Sequence, residues 1–578
     1  MHLKETIEAF VYPHLESLSR RMADGGKDTT WMGIPLLDDK ENFTGGALML
    51  AVSHLLVYQL EHTPERAEET LQRWLTFAGW AAEKPMNTWG KLSALKSLRN
   101  IKRAGKWEAV PAALLDTLNA RTDLRDFFDT ETMQLRGYAT NYLHVAMAVA
   151  GHRAKLGWEK PGLAEKIFAL FLQHIRARSS GGWMDDSAGY GRFDRYSFVI
   201  YAELADTCRA LDIPIVQQVK DGVCQSVELV LDFCSPQGDG VAYGRSLSAH
   251  GDMTVPAVVS TAVREGWLPE EQRQRAADCC RTCLAHIMDY WYNSEKQSFD
   301  LWFDGRTTNR YRRIHRLLEV NLDLSDQLLA AVANLEAGGM TDLPADPAPA
   351  APQTGVDCVK TEFIAPNNAL YVLHTPQRIW QLPVVGTGEI YRYPAYYPLP
   401  VSPRFLEQPP ENPADGSALP LFVPLAELED GRVAMPVQYF AGSSCRKTEQ
   451  GVEVEIRLES LCIMGGEAPQ PLADSRAALR YVFGEDGTVW AEFAYVSQTV
   501  PIRALRLQWM SQSALLRQEP DTAAFADCTV YLSDWTQQPA AQVETNEDYF
   551  TPHGPGRWLI ACEKPVNSST AKASWTLI

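Results

Sequence analysis

Long apolar runs are missing from this chain: no segment approaches the roughly 20 apolar residues that a membrane-spanning helix needs. Basic charge is scarce, with 54 Lys and Arg against 72 Asp and Glu and a formal net charge of -18. That balance argues against a general binder of nucleic acid or anionic membranes, while leaving room for a local basic pocket. The eleven cysteines are odd in number and follow no regular framework, which fits a reducing cytoplasm rather than a disulfide scaffold. Cys279 and Cys283 share a helical face beside Cys280, but no second cluster with ligand spacing follows, so buried thiols are expected and no metal. There is no G-x-x-x-x-G-K-[ST] and no strand-associated G-x-G-x-x-G, hence no fingerprint for ATP, nicotinamide or flavin, and no cofactor is expected. The first residues, MHLKETIEAFVYPHLESLSRRM, read as an amphipathic helix in which Glu5 and Glu8 interrupt any signal-peptide core.

What is present suggests two or three domains in 578 residues. From the N-terminus to about Gly339, helical periodicity recurs about a dozen times, with short loops of Gly, Pro and Asn between. An open solenoid of such hairpins should repeat every 34 to 45 residues or so, and no repeat is found. A closed (α/α) toroid of six hairpins, with inner and outer helices around a central cavity, is therefore expected over residues 1–338. Residues 339–357, GMTDLPADPAPAAPQTGVD, are rich in Pro and Ala and read as a linker. Beyond them the period changes to two, as in VEVEIRLESLCI and TVWAEFAYV, which predicts an antiparallel β-sandwich over 358–578. The stretch EIYRYPAYYPLPVSPRF, Glu389 to Phe405, is unlike its neighbours; it reads first as a packed irregular loop and second as an arm towards the helical part.

Chemistry-bearing residues concentrate in two glycine-rich loops. The first holds Trp183, Asp185, Asp186, Tyr190, Arg192, Asp194 and Tyr196; the second holds Asp239, Tyr243, Arg245, His250 and Asp252. Asn141 and His144 lie one helical turn apart upstream. Arg310, Arg312, Arg313, His315, Arg316 and Glu319 form the most basic run, able to clamp a carboxylate. Plain structural roles compete at each position: His144 as a hydrogen-bonded core histidine, Asp185 or Asp186 as turn caps, Asp194 as a helix N-cap, the arginines as a solvated face. Two reactions use this set of groups. Glycoside hydrolysis needs paired carboxyls; elimination beside a uronate needs a Tyr or His base with Asn and Arg on the carboxylate.

The segment from Trp183 to Ile200, WMDDSAGYGRFDRYSFVI, together with YGRSL from Tyr243 to Leu247, resembles a bacterial family of uncharacterised toroid proteins, domain of unknown function 2264. That family is similar to six-hairpin glycosidases with β-glucuronidase relatives. Asp185 or Asp186, Phe193, Asp194, Tyr196 and Phe198 match its first pattern, and Gly244, Arg245 and Ser246 its second. Arg195 replaces a tyrosine of the pattern, and the match covers about residues 139–266. The resemblance implies a toroid acting on uronic-acid oligosaccharides or glucuronides, with Asp185 or Asp186 and Asp194 as acid and base. Tyr196 is grouped with these catalytic residues and, with Arg245, positions the sugar. Asn141, His144, Trp183, Tyr190, Arg192, Tyr243, His250 and Arg313 complete the expected substrate contacts. Hydrolysis in the cytoplasm is the leading expectation, lyase chemistry the second, and non-catalytic glycan binding the third. A homo-oligomer is compatible with the sequence.

Overall fold

The computed structural model describes residues 2–37, 42–179, 181–187, 189–309, 312–340, 355–362, 367–411, 413–543 and 547–578. Twelve α-helices come first: α1 (Leu3–Gly25), α2 (Thr44–His62), α3 (Pro64–Glu83), α4 (Thr88–Arg103), α5 (Ala112–Arg121), α6 (Tyr142–Leu156), α7 (Leu163–Arg178), α8 (Arg195–Leu211), α9 (Gln217–Phe233), α10 (Ala249–Arg264), α11 (Arg273–Asp289) and α12 (Leu317–Ala337). The even-numbered helices form a closed inner ring. Each packs against the next, and α12 returns to α2. The odd-numbered helices lie outside, as hairpin alternation dictates.

Local chemistry explains where several inner helices begin. Asn87 accepts a bond from the Gly90 amide at 3.0 Å and starts α4. Asp194 caps α8 through the Tyr196 amide at 3.0 Å, with Ser197 completing a capping box. Because every inner helix follows an outer one, all six run in the same direction. Their N-termini, from Phe43 to Arg316, therefore gather at one end of the ring and give it a partial positive charge.

The expected toroid and sandwich are both present. The strands after α12 begin at Asp357, and of the predicted 339–357 linker residues 341–354 lie outside the described residues. Two eight-stranded antiparallel sheets make the sandwich. One is built around Ile502–Ser511 and Trp558–Ser568; the other runs through Gly451–Leu458, Ser475–Phe483, Val489–Ser497 and Thr570–Leu577. Along Val489–Ser497 burial alternates residue by residue, as period-two patterning requires.

A three-stranded sheet, Asp357–Glu362, Ala369–His374 and Ile379–Val384, sits between the two halves. Its middle strand is buried on both faces: Leu370 and Val372 join the helical core, whereas Tyr371 and Leu373 join the sandwich core. Gln381 extends the junction, donating to the Gly240 carbonyl at 2.7 Å and accepting from the Ala242 amide at 2.9 Å. The Glu389–Phe405 stretch does reach the helices, for Ala395 and Tyr396 are buried in the helical core. The cysteine cluster on α11 is buried, and Cys283 Sγ lies 3.7 Å from Sγ of Cys234, the residue that follows α9.

Candidate active site

A cavity of about 830 Å³ occupies the ring, lined by residues of all six inner helices. On α8 the lining residues Tyr196, Val199, Glu203, Asp206 and Ala210 recur at three- and four-residue steps, which places them on one face. On α12 the same spacing selects Glu319, Asp323, Asp326 and Ala330, with Arg316 immediately before the helix. The lining from Arg316 to Asn334 follows about 27 Å of helix at 1.5 Å per residue. Arginines Arg195, Arg245, Arg312 and Arg316 gather at the end formed by the helix N-termini, and Glu203, Asp206, Asp323 and Asp326 lie further in.

Tyr196 stands at the N-terminal end of the cavity. Its hydroxyl is 2.8 Å from Ser246 Oγ, and the guanidinium carbons of Arg245 and Arg195 lie 4.5 and 5.1 Å from its ring centroid. Arg245 is anchored by two carboxylates. Its Nε donates to Asp194 Oδ2 at 2.9 Å, and it pairs with Asp186.

Arg195 differs from Arg245. It is 5% exposed, lines the cavity, and donates through Nε to Thr254 Oγ1 at 3.1 Å. Among the described residues it has no carboxylate within the 4.0 Å of an ion pair. A nearly buried cation of this kind bears a desolvation cost that an anionic ligand would offset. Asn141, also buried and cavity-lining, has a side-chain oxygen with no hydrogen-bond partner among the described residues.

The turn carrying Arg245 is tightly specified. Gly244 has φ +85°, and a Cβ there would lie 2.9 Å from that of Asp194 and 3.4 Å from the Tyr396 ring. Ser246 and Ser248 also hold positive φ, 56° and 64°, a conformation costing about 1–3 kcal/mol per residue. Asn309 accepts from the Ser246 amide at 2.5 Å and Thr308 donates to the Leu247 carbonyl at 2.8 Å, which fixes this backbone.

The sequence-predicted residues divide sharply. Asn141, His144, Tyr196 and Arg245 line the cavity. Asp185, Asp186 and Asp194 are not among the described residues that do; all three are buried behind it. Asp185 organises its own loop by accepting from the Ser187 amide at 2.9 Å and the Arg192 amide at 3.1 Å. Asp186 accepts from the Asn141 amide at 2.9 Å. Asp194 is held above the usual carboxylate range by burial, against the opposing pull of Arg192 and Tyr396.

The other predicted contacts have framework positions. Trp183 is buried against Phe193, and Tyr243 is fully buried. Arg192 pairs with Glu389 at 3.0 Å, while the exposed Tyr190 meets the backbone at Gly386 and Gly388. His250 lies 2.9 Å from Arg312 and 3.2 Å from Asp323, and burial pushes its pKa down to about 3. Asp239 serves the junction between the halves, meeting Ser235 and Arg404, whereas Asp252 is bonded within the helical half, accepting from Trp291 Nε1 at 2.6 Å. The basic run splits, with Arg312 and Arg316 facing the cavity and Arg313 exposed; Arg310 lies outside the described residues.

Sequence reasoning missed Lys96, Glu203, Asp206, Asp323 and Asp326, and noted Arg195 only as a departure from a pattern. The available signal was periodic: pairs of acids at i and i+3, Glu203 with Asp206 and Asp323 with Asp326, on largely apolar helices. Burial raises the Glu203 pKa to about 7, although Arg195 and Lys96 oppose it. Its Oε2 is 3.4 Å from His144 Nδ1. Burial holds His144 at about 3, so that imidazole is neutral and meets Thr207 at 2.8 Å. Burial alone would raise Asp323 and Asp326; His250 and Arg312 hold the former below its ordinary range, and Lys96 and His54 the latter.

No family model and no curated protein matches the chain. Similar solved structures include heparinase III, at 10% identity and a TM-score of 0.46, covering 96% of this chain and 79% of that one. A chondroitinase AC lyase is similar at 9% identity and 0.48, over 100% of this chain and 83% of that one. A glycosyl hydrolase family 88 protein from Bacteroides vulgatus is similar at 10% and 0.38, over 58% and 99% respectively. At these values the chemistry of the site rests on its own residues.

Proposed function

We propose that this chain is a carbohydrate-active enzyme that cleaves short uronic-acid-containing oligosaccharides by β-elimination. The observation that carries the reading is Arg195: a nearly buried guanidinium on the cavity wall, without an ion-pair partner among the described residues, directly beside Tyr196. A uronate carboxylate would supply a direct ion-pair partner, and the Asn141 amide would donate a second hydrogen bond to it. The proton on the carbon next to that carboxylate then passes to the Tyr196 oxygen, which enters the step as the phenolate, a form that the guanidinium groups of Arg195 and Arg245 beside the ring favour. The electron pair left behind forms the carbon–carbon double bond, the bond to the glycosidic oxygen breaks, and the tyrosine returns its proton to that oxygen. Arg195 and Arg245 offset the negative charge that develops along this path.

This reading departs from the sequence expectation of hydrolysis by Asp185 or Asp186 with Asp194, because those carboxyls are buried behind the cavity and engaged in holding loops and Arg245. A second reading keeps hydrolysis, of the β-glucuronidase kind, and rests on Glu203. A cavity-lining carboxyl with a pKa near 7 is suited to protonate a leaving oxygen. A cytoplasmic setting, with imported fragments as substrates, belongs to the same proposal. The test is incubation with uronic-acid oligosaccharides in heavy-oxygen water, with products read by mass spectrometry. Elimination yields an unsaturated sugar and products that together gain no water. Products that gain heavy-oxygen water transfer the assignment to Glu203, and unchanged sugar that nevertheless binds leaves a glycan-binding protein.

A further inference from the structure

The Tyr196 site is assembled from both halves of the chain. Asp194 accepts three bonds. One oxygen takes the Tyr196 amide at 3.0 Å and so starts α8. The other takes Arg245 Nε at 2.9 Å and the hydroxyl of Tyr396 at 2.6 Å. Tyr396 comes from the sandwich half, 202 residues along the chain, and is 2% exposed. Its neighbour Ala395 accepts from the Gly244 amide at 2.9 Å, directly before Arg245. The same segment is tied down by Glu389, 3.0 Å from Arg192. A Cβ at Gly244 would crowd both Asp194 and Tyr396, so the turn admits this packing only because the residue is glycine.

We propose that Tyr396 is a positioning residue of the catalytic site: its hydroxyl fixes the Asp194 carboxylate, which in turn holds the Arg245 guanidinium over the Tyr196 ring. The inference rests on the elimination reading for its kinetic consequence, though not for its structural one. The carboxylate has two other donors that hold it in place, so losing the phenol hydroxyl leaves α8 capped. What changes is the oxygen shared with Arg245. Without Tyr396 that oxygen loses its shortest bond, the carboxylate can shift within its remaining two bonds, and of the two anchors of the guanidinium only Asp186 stays as firmly placed. Small displacements of a charge that acts on a transition state are costly even when substrate binding is unaffected. Tyr396 touches neither the cavity nor the reacting atoms, so its effect passes through Asp194 and Arg245.

The test is Y396F in the full-length protein. A crystal structure should show Arg245 displaced from its 4.5 Å position over the Tyr196 ring. On a uronic-acid oligosaccharide that the wild type cleaves, kcat should fall roughly 10- to 100-fold with KM within about twofold. Y396F added to D194N should cost nothing further, because both variants break the same link. Wild-type kcat in Y396F, or reduced kcat with Arg245 unmoved, overturns the proposal. If Y396F does not fold, the displacement of Arg245 in D194N decides the same link. Should the wild type cleave no uronate at all, the elimination reading fails, and the position of Arg245 in Y396F still decides whether Tyr396 holds it.

Discussion

The ring contains two sets of carboxylates that differ in their spacing along the chain, their bonding and their access to the cavity. Asp185, Asp186 and Asp194 sit in a dense motif, are buried, and accept bonds from neighbouring amides, Tyr396 and Arg245. Glu203, Asp206, Asp323 and Asp326 are spread along α8 and α12 without a motif, yet all four face the cavity. The first set is conspicuous because building a precise loop takes many polar groups in a short stretch. The second is inconspicuous because each helix face supplies one residue per turn. Density of polar residues in sequence here marks framework, whereas access to a ligand follows helical spacing.

The largest expected effect tests where the chemistry lies. Y196F should lower turnover by about 10²–10⁴-fold, the usual contribution of a proton-transferring side chain, with an unchanged melting temperature. Turnover within a few fold of wild type would remove Tyr196 from the mechanism. Next comes D186N, which breaks the pair between the fully buried Asp186 and the part-buried Arg245 and should cost on the order of 3 kcal/mol of stability in denaturant unfolding. A variant as stable as wild type would mean that the aspartate is not framework.

R195M should weaken uronate binding by roughly 1.5–3 kcal/mol, about 10- to 150-fold by calorimetry, while the free protein melts no lower than wild type because a nearly buried cation has been removed. A lower melting temperature with binding intact would make Arg195 structural.

The smallest effect concerns Glu203. Its folded pKa, about 7, lies above its ordinary value of 4.5, so the folded state retains a proton that the unfolded state releases between those values. Stability from this group is complete below about pH 4.5 and is lost as pH rises through about 7. E203Q should therefore flatten the decline in melting temperature between pH 5 and 7, and an unchanged slope would show that Glu203 titrates normally.

Much of the fold was legible because its signals are local. Leu71, Trp74 and Ala78 on one helix, and the alternation through Val489–Ser497, report helix and strand directly. The site was half legible. Tyr196 and Arg245 were found because they lie in the glycine-rich motifs, and Asn141 and His144 because they recur one helical turn apart. Glu203 and Asp323 escaped notice because a single acid in an amphipathic helix looks like a solvated position until the ring closes around it. Arg313 was preferred to its neighbours, yet Arg312 and Arg316 face inward; the start of α12 sets which arginines do so.

By itself the sequence determined the alternation of twelve helices, the change to period two beyond the Pro/Ala-rich stretch, and the caps at Asn87 and Asp194, all of which depend on neighbours a few residues away. Only the tertiary structure decided which charges face the cavity. Closing the ring turned the stripes on α8 and α12 inward, buried the motif aspartates behind Arg245, and brought Tyr396 to Asp194 across 202 residues. Those outcomes depend on contacts between distant segments, and local periodicity carries no record of them.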